Sequence, residues 1–222
     1  MISVRRLVFE YPRSGYRLQV DSLDIPRDAR VAIIGPSGAG KTTLLNLLTG
    51  ILPADEGDIR VEDTRLSDLA DAARRDFRLS RVGFVFQDFA LVDYLTVLDN
   101  IVHPYRIGRA LRLDRETLAN GRDLATALGL GEKLRRYPAQ LSHGERQRCA
   151  IGRALIAKPQ IIAADEPTGN LDPENKAHIF GLLFKQAQAF GAVLLAVTHD
   201  RDLLSDFDQV IELTAAGAVS VR

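Results

Sequence analysis

The most informative segment of the chain is Gly35-Pro36-Ser37-Gly38-Ala39-Gly40-Lys41-Thr42-Thr43. The apolar residues 31–34 precede it and predict a buried strand, and the leucine-rich residues 44–48 that follow predict a helix. Glycines let such a loop turn several backbone N–H groups toward one anion, and the helix N-terminus adds a partial positive charge. This order of strand, loop and helix predicts a phosphate-binding loop.

Two side chains at the end of the loop extend the prediction from phosphate to a nucleoside triphosphate. We expect Lys41 to contact the β- and γ-phosphates and the Thr42 hydroxyl to contact Mg²⁺. The other residues of the loop, from Gly35 to Thr43, contribute backbone groups and shape. The alternative is a glycine-rich turn that binds nothing, and the register of strand, lysine and hydroxyl argues against it. The expected ligand is therefore ATP with Mg²⁺.

Charge and hydropathy exclude several classes of protein. The 222 residues include 29 Lys and Arg and 29 Asp and Glu, so we expect no nucleic-acid partner. A single cysteine, Cys149, excludes an intramolecular disulfide framework and is expected to be an inert core thiol. No apolar run approaches the ~20 residues that span a bilayer, and the first residues lack the apolar core of a signal peptide. Any work at a membrane would need another protein as the anchor.

Strands alternate with helices along the chain, which predicts an α/β fold with a parallel core sheet. The long helical stretch at residues 96–130 predicts an inserted subdomain. The arginine-rich segment at residues 74–81 is interpreted as a solvated helix face rather than a nucleic-acid footprint, because acidic residues interleave with the arginines. Strands are predicted at residues 2–10, 16–20, 58–61, 82–86, 161–164, 192–197 and 210–213, and further helices at 144–157 and 173–190.

Two carboxylates follow directly after a buried strand. The apolar residues 161–164 lead into Asp165 and Glu166. Because successive strand residues point to opposite faces, the two acids are expected to have different roles. Asp165 is predicted to hold Mg²⁺, and Glu166 is predicted to orient and deprotonate an attacking water. Solvated or capping acids are the alternative, and the apolar run before them argues against it.

Two other polar residues lie at predicted strand ends. His199 follows residues 192–198, at the edge where open α/β sheets place their ligands, and could donate to a γ-phosphate oxygen. Gln87 follows residues 82–86 and could contact Mg²⁺ or water with its amide. Strand-end glutamines are common, so Gln87 alone is weak evidence. His103 and His178 are interpreted as structural.

A further segment connects these motifs to a known family. It is Leu141-Ser142-His143-Gly144-Glu145-Arg146-Gln147-Arg148. With the phosphate loop, Gln87, the acidic pair, residues 170–172 and His199, it stands in the order typical of the ATP-binding-cassette ATPases, which the chain resembles over its whole length. Residues 83–87, 95–97 and 168–172 resemble the branch that serves macrolide export and lipoprotein release and includes the cell-division ATPase.

The resemblance implies a fold and a division of the chain. It implies a P-loop NTPase domain over residues 1–222, with a mostly parallel core sheet, a small antiparallel β subdomain and an inserted α-helical subdomain. The core with the β subdomain would comprise residues 1–87 and 158–222, and the helical subdomain residues 88–157. We expect no regulatory domain after the last strand, unlike the sugar-importer ATPases.

The resemblance also implies how ATP is bound. Two copies would face head to tail as a homodimer and enclose two ATP molecules, with Ser142 and Gly144 reaching the γ-phosphate held by the other copy. Glu145 stands where the family usually has Gln and would lie near the ribose, and Asp172 would lie at the interface. Tyr11 matches the aromatic residue that stacks on adenine, with nearby Tyr16 as the alternative.

His143 departs from the family pattern, which has Gly at this position. We interpret its ring as pointing away from the nucleotide; the alternative is that protonated His143 strengthens closure. Phe89, Leu91 and Tyr94 are candidates for a groove that receives a helix of a membrane subunit, or else they fill the core of the helical subdomain.

The function that the resemblance implies is Mg²⁺-dependent ATP hydrolysis. Lys41, Glu166 and His199 would be catalytic, with Thr42, Gln87 and Asp165 at Mg²⁺. The ATPase would drive a separate integral membrane permease from the cytoplasmic face of the membrane, in export or lipoprotein release. Two alternatives remain open: a cell-division-type ATPase that signals to a cell-wall enzyme without transport, and an ATPase that acts on nucleic acid or ribosomes.

Overall fold

The strands form an antiparallel sheet and a mostly parallel sheet. The computed structural model describes residues 1–12, 15–169, 173–214 and 217–221. The antiparallel sheet has the order β2-β1-β4-β5. Its strands alternate buried and exposed residues, as expected of a sheet with one solvated face. They are β1 (Ile2–Glu10), β2 (Arg17–Ile25), β4 (Glu56–Val61) and β5 (Thr64–Arg65).

The second sheet forms the centre of the molecule, in the order β10-β9-β3-β8-β7-β6. Strands β9, β3, β8, β7 and β6 are parallel and β10 is antiparallel to β9. Its inner strands are continuous apolar runs because both faces are covered. The strands are β3 (Arg30–Ile34), β6 (Val82–Val85), β7 (Ile161–Asp165), β8 (Val193–Val197), β9 (Gln209–Leu213) and β10 (Val219–Val221).

Helices cover both faces of the parallel sheet. Alternate strand residues belong to different cores, so that Ile33 packs with α1, α2 and the antiparallel sheet while Ala32 packs with α3, α4, α5 and α6. Helices α3, α4 and α5 contact one another and lie between β6 and β7 in the chain. The helices are α1 (Lys41–Leu48), α2 (Asp71–Arg81), α3 (Val97–Ile101), α4 (Arg115–Ala127), α5 (His143–Leu155) and α6 (Pro173–Phe190).

The fold class predicted from the sequence is confirmed, and several predicted boundaries are wrong. The single helical stretch at residues 96–130 is interrupted: α3, a 3₁₀ turn at His103–Tyr105 and α4 follow one another, and Asp114 caps the start of α4. Strand β2 extends to Ile25 rather than ending at residue 20, and β10 was not predicted. The arginine-rich segment is a solvated helix as predicted, with Phe77 as the buried residue of α2.

The topology brings four predicted site segments to one edge. The carboxyl ends of β3, β8, β7 and β6 are neighbours in the sheet, and they lead into the phosphate loop, His199, the acidic pair and Gln87 respectively. An open α/β sheet binds its ligands at this edge. No helix within the described ranges is long and apolar enough to cross a membrane.

Candidate functional site

The phosphate loop joins β3 to α1, and two of its glycines are required by the space around them. Gly35 has φ 149°, and a Cβ built on it would lie 2.5 Å from the carbonyl oxygen of Leu213. Gly40 has φ 92° and is the N-cap of α1; a Cβ there would lie 1.7 Å from the hydroxyl of Tyr16. Neither position accepts a side chain without rearrangement. The loop therefore follows a path that only these glycines permit.

Side-chain hydrogen bonds hold the loop in this shape. The Lys41 ammonium donates to the carbonyl oxygens of Gly35 and Pro36, both at 3.0 Å. The Tyr16 hydroxyl donates to the Ala39 carbonyl at 2.7 Å. Ala39 itself is fully buried. The loop is thus organised around the Lys41 ammonium, the cation that the sequence assigns to phosphate.

A pocket of about 370 Å³ opens over the loop. Tyr11, the predicted adenine platform, is 37% exposed and its hydroxyl lies 3.4 Å from the Thr43 hydroxyl. Tyr16, the alternative, also lines the pocket, and burial raises the pKa of its hydroxyl. Tyr11 is the more exposed of the two, whereas the Tyr16 hydroxyl supports the loop. The lining consists of Tyr11, Tyr16, Ser37, Gly38, Gly40, Lys41, Thr42, Thr43 and Glu166.

Thr42 and Asp165 meet beneath the pocket. The Thr42 hydroxyl donates to Asp165 Oδ1 at 3.2 Å, although the two residues lie 123 positions apart. Burial raises the pKa of Asp165, partly opposed by the Thr42 hydrogen bond. A hydroxyl and a carboxylate oxygen are ligands that suit Mg²⁺. The described residues contain no group of three His, Cys, Asp or Glu able to hold a metal.

Glu166 lies at the centre of the polar contacts at this edge. Its Oε2 accepts from the Gln87 amide at 3.4 Å, and its Oε1 lies 3.6 Å from His199 Nδ1. Its backbone adopts φ 45°, rare for a residue other than glycine, while its N–H donates to the Val197 carbonyl at 3.1 Å. This left-handed turn, rather than the strand alternation assumed from the sequence, separates the side chain of Glu166 from that of Asp165.

Arg153 anchors the chain just after Gln87, a role that was not predicted from the sequence. Phe89 and Ala90 have φ of 65° and 45°, and their carbonyls both accept from the Arg153 guanidinium of α5. Such backbone conformations persist where surrounding contacts enforce them. The only available signal was an arginine amid the apolar residues of α5, between Gly152 and Ala154.

The three groove candidates, Phe89, Leu91 and Tyr94, separate into core and surface residues. Phe89 is buried and Leu91 packs against the core of the helical region, so these two follow the alternative interpretation. Tyr94 is 81% exposed. The Cys149 thiol is fully buried, and burial raises its pKa to about 12, in agreement with an inert core thiol.

The N-terminus of α5 carries the segment that resembles the family signature. Ser142 is the N-cap: its Oγ accepts from the Glu145 N–H at 3.3 Å, while Glu145 Oε2 accepts from the Ser142 N–H at 2.9 Å. Glu145 Oε1 also accepts from Lys133. His143 is exposed and packs edge-on against Phe89, with ring centroids 4.9 Å apart.

The structure does not bring every predicted residue into one pocket. Among the described lining residues of the phosphate-loop pocket, Ser142, Gly144 and Glu145 do not occur. Asp172 lies outside the described residues. A hydrogen bond nevertheless connects α5 to the acidic pair. The buried Gln147 amide of α5 donates to the carbonyl of Pro167, which directly follows Glu166.

Comparison with known proteins identifies the family of the chain. The sequence pattern of the family described as "ABC transporter" matches residues 18–169. The chain is 39% identical over 216 residues to the lipoprotein-releasing system ATP-binding protein LolD of Syntrophotalea carbinolica, covering 96% of this chain and 94% of that protein. It is also 39% identical over 218 residues to an ABC transporter ATP-binding protein of Mycobacterium tuberculosis, of which it spans 65% of the length.

A solved structure extends the likeness to three dimensions. It is a dimeric post-hydrolysis state of the ATP-binding cassette MJ0796 bound to ADP and Pi, with a TM-score of 0.87 and 30% identity. The likeness covers 99% of this chain and 98% of that one. The predicted branch, with its lipoprotein-release relatives, is confirmed by the similarity to LolD. The chain belongs to the ABC transporter family, as an ATP-binding protein close to the LolD type.

Proposed function

We propose that the protein hydrolyses ATP in a head-to-tail homodimer and thereby drives a separate membrane permease of the export or lipoprotein-release type. The observation that carries this proposal is the position of Glu166 between Gln87 and His199, beside the phosphate-loop pocket. A carboxylate held between an amide and an imidazole is suited to hold and deprotonate a water molecule. The remaining groups supply charge and orientation.

Binding of the triphosphate falls to the loop and the metal ligands. The N–H groups of residues 37–43 and the Lys41 ammonium would neutralise the β- and γ-phosphates, with Tyr11 against the adenine. Thr42 and Asp165 already contact each other, and we propose that they hold Mg²⁺ together with Gln87. Bound Mg²⁺ would neutralise phosphate charge. His199 would donate to a γ-phosphate oxygen and support the transition state.

The second half of each site would come from another copy. Ser142 lies at an exposed helix N-terminus, so a γ-phosphate could approach the Ser142 hydroxyl, the Gly144 N–H and the positive end of α5 together. Glu145 would lie near the ribose and Asp172 at the interface. The homologous cassette MJ0796 was solved as a dimer with ADP and Pi, which supports the same arrangement here.

We propose a groove on another face as the contact with the permease. It has a volume of about 240 Å³, lies between α2, β6 and the 3₁₀ turn at His103–Tyr105, and includes Ile107, which is 53% exposed. Arg78 and Arg153 are among its lining residues, and burial, followed by the nearby Arg74 and Arg75, lowers the pKa of Arg78. An apolar floor with a positive rim fits a short helix of a membrane subunit that carries apolar and acidic residues. Binding there would place the protein at the cytoplasmic face of the membrane.

The test uses the variant Glu166→Gln, which removes the base and keeps the shape. We expect ATP turnover to fall by about 10²–10⁴-fold, the usual contribution of a general base. Because bound ATP would then persist, light scattering with saturating ATP and Mg²⁺ should report a dimer. Lys41→Ala in the same background is the control and should remain monomeric because ATP binds weakly. A Glu166→Gln protein that stays monomeric while it binds ATP would refute the sandwich.

Signalling to a cell-wall enzyme is the competing function. It would use the same ATPase site, so only the membrane partner can separate the two. Purification with the native membrane fraction should yield a permease-like subunit bound through the groove. The variant Ile107→Glu, which places an acid on the groove, should release that subunit and keep ATP-driven dimerisation.

A further inference from the structure

Lys133, which lies outside the segment that resembles the family signature, forms an ion pair with Glu145 inside that segment. Both carboxylate oxygens of Glu145 are occupied: Oε2 accepts from the Ser142 N–H at 2.9 Å and Oε1 accepts from Lys133. The Lys133 and Glu145 side chains are 30% and 16% exposed, so the ion pair is half-buried rather than freely solvated. The Lys133 hydrogen bond is the largest of the causes that lower the pKa of Glu145, followed by the hydrogen bond from Ser142. Glu145 is therefore ionised and fully engaged.

The backbone that carries Lys133 is itself held in place. Lys133 ends a 3₁₀ turn, Gly131–Lys133, where its N–H donates to the carbonyl of buried Leu130 at 2.9 Å. On the other side, the Leu98 N–H donates to the Leu134 carbonyl at 3.1 Å and ties the turn to α3. A lysine on a fixed backbone loses less freedom when it forms an ion pair than one on a free loop. The ion pair between Lys133 and Glu145 is thus a fixed contact between two segments of the helical region.

The charge of Glu145 matters because this residue lies in the first turn of α5, where phosphate is proposed to bind. It occupies the third position of α5, next to the exposed Ser142 hydroxyl. A helix N-terminus carries roughly half a positive charge, and a full negative charge in the same turn would outweigh it toward an incoming phosphate. Lys133 cancels that charge. The bond from the Glu145 N–H to Ser142 Oγ also leaves the hydroxyl hydrogen of Ser142 available to donate outward.

We propose that Lys133 is a positioning residue, which neutralises Glu145 and fixes it against the Ser142 backbone so that the N-terminus of α5 attracts the γ-phosphate bound by a second copy. The inference rests on the proposed ATP sandwich. It explains how a chain with Glu at this position, rather than the uncharged Gln usual in the family, can still present a positive helix end to a phosphate.

The test is a cycle of variants built on Glu166→Gln: Lys133→Met, Lys133→Arg, Glu145→Gln, and Lys133→Met with Glu145→Gln. The readouts are the ATP concentration for half-maximal dimerisation by light scattering and the affinity of the monomer for a fluorescent ATP analogue at low protein concentration. Lys133→Met should raise the half-maximal ATP concentration roughly tenfold and leave monomer affinity within about twofold, since a tenfold change corresponds to one paired charge of modest strength. Lys133→Arg keeps the charge and should behave like the parent.

The double variant, Lys133→Met with Glu145→Gln, distinguishes a charge effect of Lys133 from a packing effect. In the double variant the uncharged Gln no longer needs a partner, so dimerisation should return to within about threefold of the Glu145→Gln variant. The role of Lys133 is overturned if Lys133→Met dimerises like the parent, or if the double variant stays as weak as Lys133→Met. If the parent itself stays monomeric with ATP, the sandwich is wrong and the inference is overturned with it, a result distinct from the other two.

Discussion

The phosphate loop and the N-terminus of α5 are both helix starts proposed to bind phosphate, yet they are built differently. The loop is braced from within: Ala39 and Thr43 are buried and Tyr16 and Lys41 hydrogen-bond to its carbonyls, while residues 36–38 are exposed. The start of α5 is open: Ser142 and His143 are exposed. Its contacts include a local capping box, the ion pair to Lys133 and the edge-on packing of His143 against Phe89.

This difference indicates which half of the proposed site binds ATP first. A preorganised site loses little freedom on binding, so the loop can bind nucleotide within one copy. The start of α5 is not among the described lining residues of that pocket, and under the proposed function it contacts a phosphate bound by another copy. ATP would therefore bind one chain first and recruit the second chain afterwards. Variants in the two regions should have separable effects, which can be ranked by their effect on the stability of the unliganded chain.

The largest effect is expected at Gly40. In Gly40→Ala the new Cβ would lie 1.7 Å from the Tyr16 hydroxyl at a φ of 92°, so strain and overpacking should lower the free energy of unfolding by about 2–4 kcal/mol. ATP affinity should fall at least tenfold because the loop must open. Chemical denaturation and nucleotide titration measure the two effects.

Gly38 provides the matched control for this variant. It also has positive φ, 77°, but a Cβ there meets nothing within 4 Å, so Gly38→Ala should cost only about 1–2 kcal/mol of backbone strain. In a Tyr16→Ala background, Gly40→Ala should approach the same cost because the clash is removed. An equal loss in both backgrounds would mean that Tyr16 does not shape the loop.

The second prediction separates the capping role of Ser142 from its proposed ligand role. Ser142→Ala removes the cap and should lower the free energy of unfolding by about 1 kcal/mol. Ser142→Asp keeps a good N-cap and should leave stability nearly unchanged, yet it places a carboxylate where the γ-phosphate would approach. Light scattering with ATP should then show weak dimerisation for the Ala variant and none for the Asp variant. Normal dimerisation of the Asp variant would contradict the proposed contact.

The phosphate-loop half of the site could be predicted from the sequence because its geometry is encoded locally. The spacing from Gly35 to Thr42 sets the loop, and an apolar run that ends in Asp165 sets the strand end that faces it. The α/β class follows from the same alternation of strands and helices. Parallel strands then bring His199 and Gln87 to the same edge without further information.

What could not be predicted depends on contacts between distant segments. The path after Gln87 rests on the guanidinium of Arg153, some sixty residues later, and Lys133 reaches Glu145 across a turn. The left-handed backbone of Glu166 accompanies a tertiary hydrogen bond from its N–H to the Val197 carbonyl. No sequence pattern predicts that hydrogen bond. The break in the helical stretch before Asp114 likewise reflects capping and packing rather than the spacing of leucines.

The smallest predicted effect concerns Asp165. Its substitution should raise stability, whereas Gly40→Ala and Ser142→Ala should lower it. Burial is the main reason why its pKa lies above the ordinary value of 3.8, so the folded state holds the proton more tightly than the unfolded state. Stability from this group is therefore complete below the unfolded pKa and falls as pH rises through the folded pKa. At neutral pH the ionised carboxylate is a cost that Asp165→Asn removes, while an amide oxygen can still accept from Thr42.

The unliganded Asp165→Asn protein should accordingly melt slightly above the parent at pH 7, as thermal unfolding would measure. The difference should disappear near pH 4. Asp208→Asn is the matched control with the reverse sign, because the hydrogen bond from Arg30 lowers the pKa of Asp208 and that pair stabilises the fold at neutral pH. With ATP and Mg²⁺ the order should invert, as only the parent gains stability from the metal. A parent that melts higher without ligand would show that Asp165 is structural and would remove it from the preorganised half of the site.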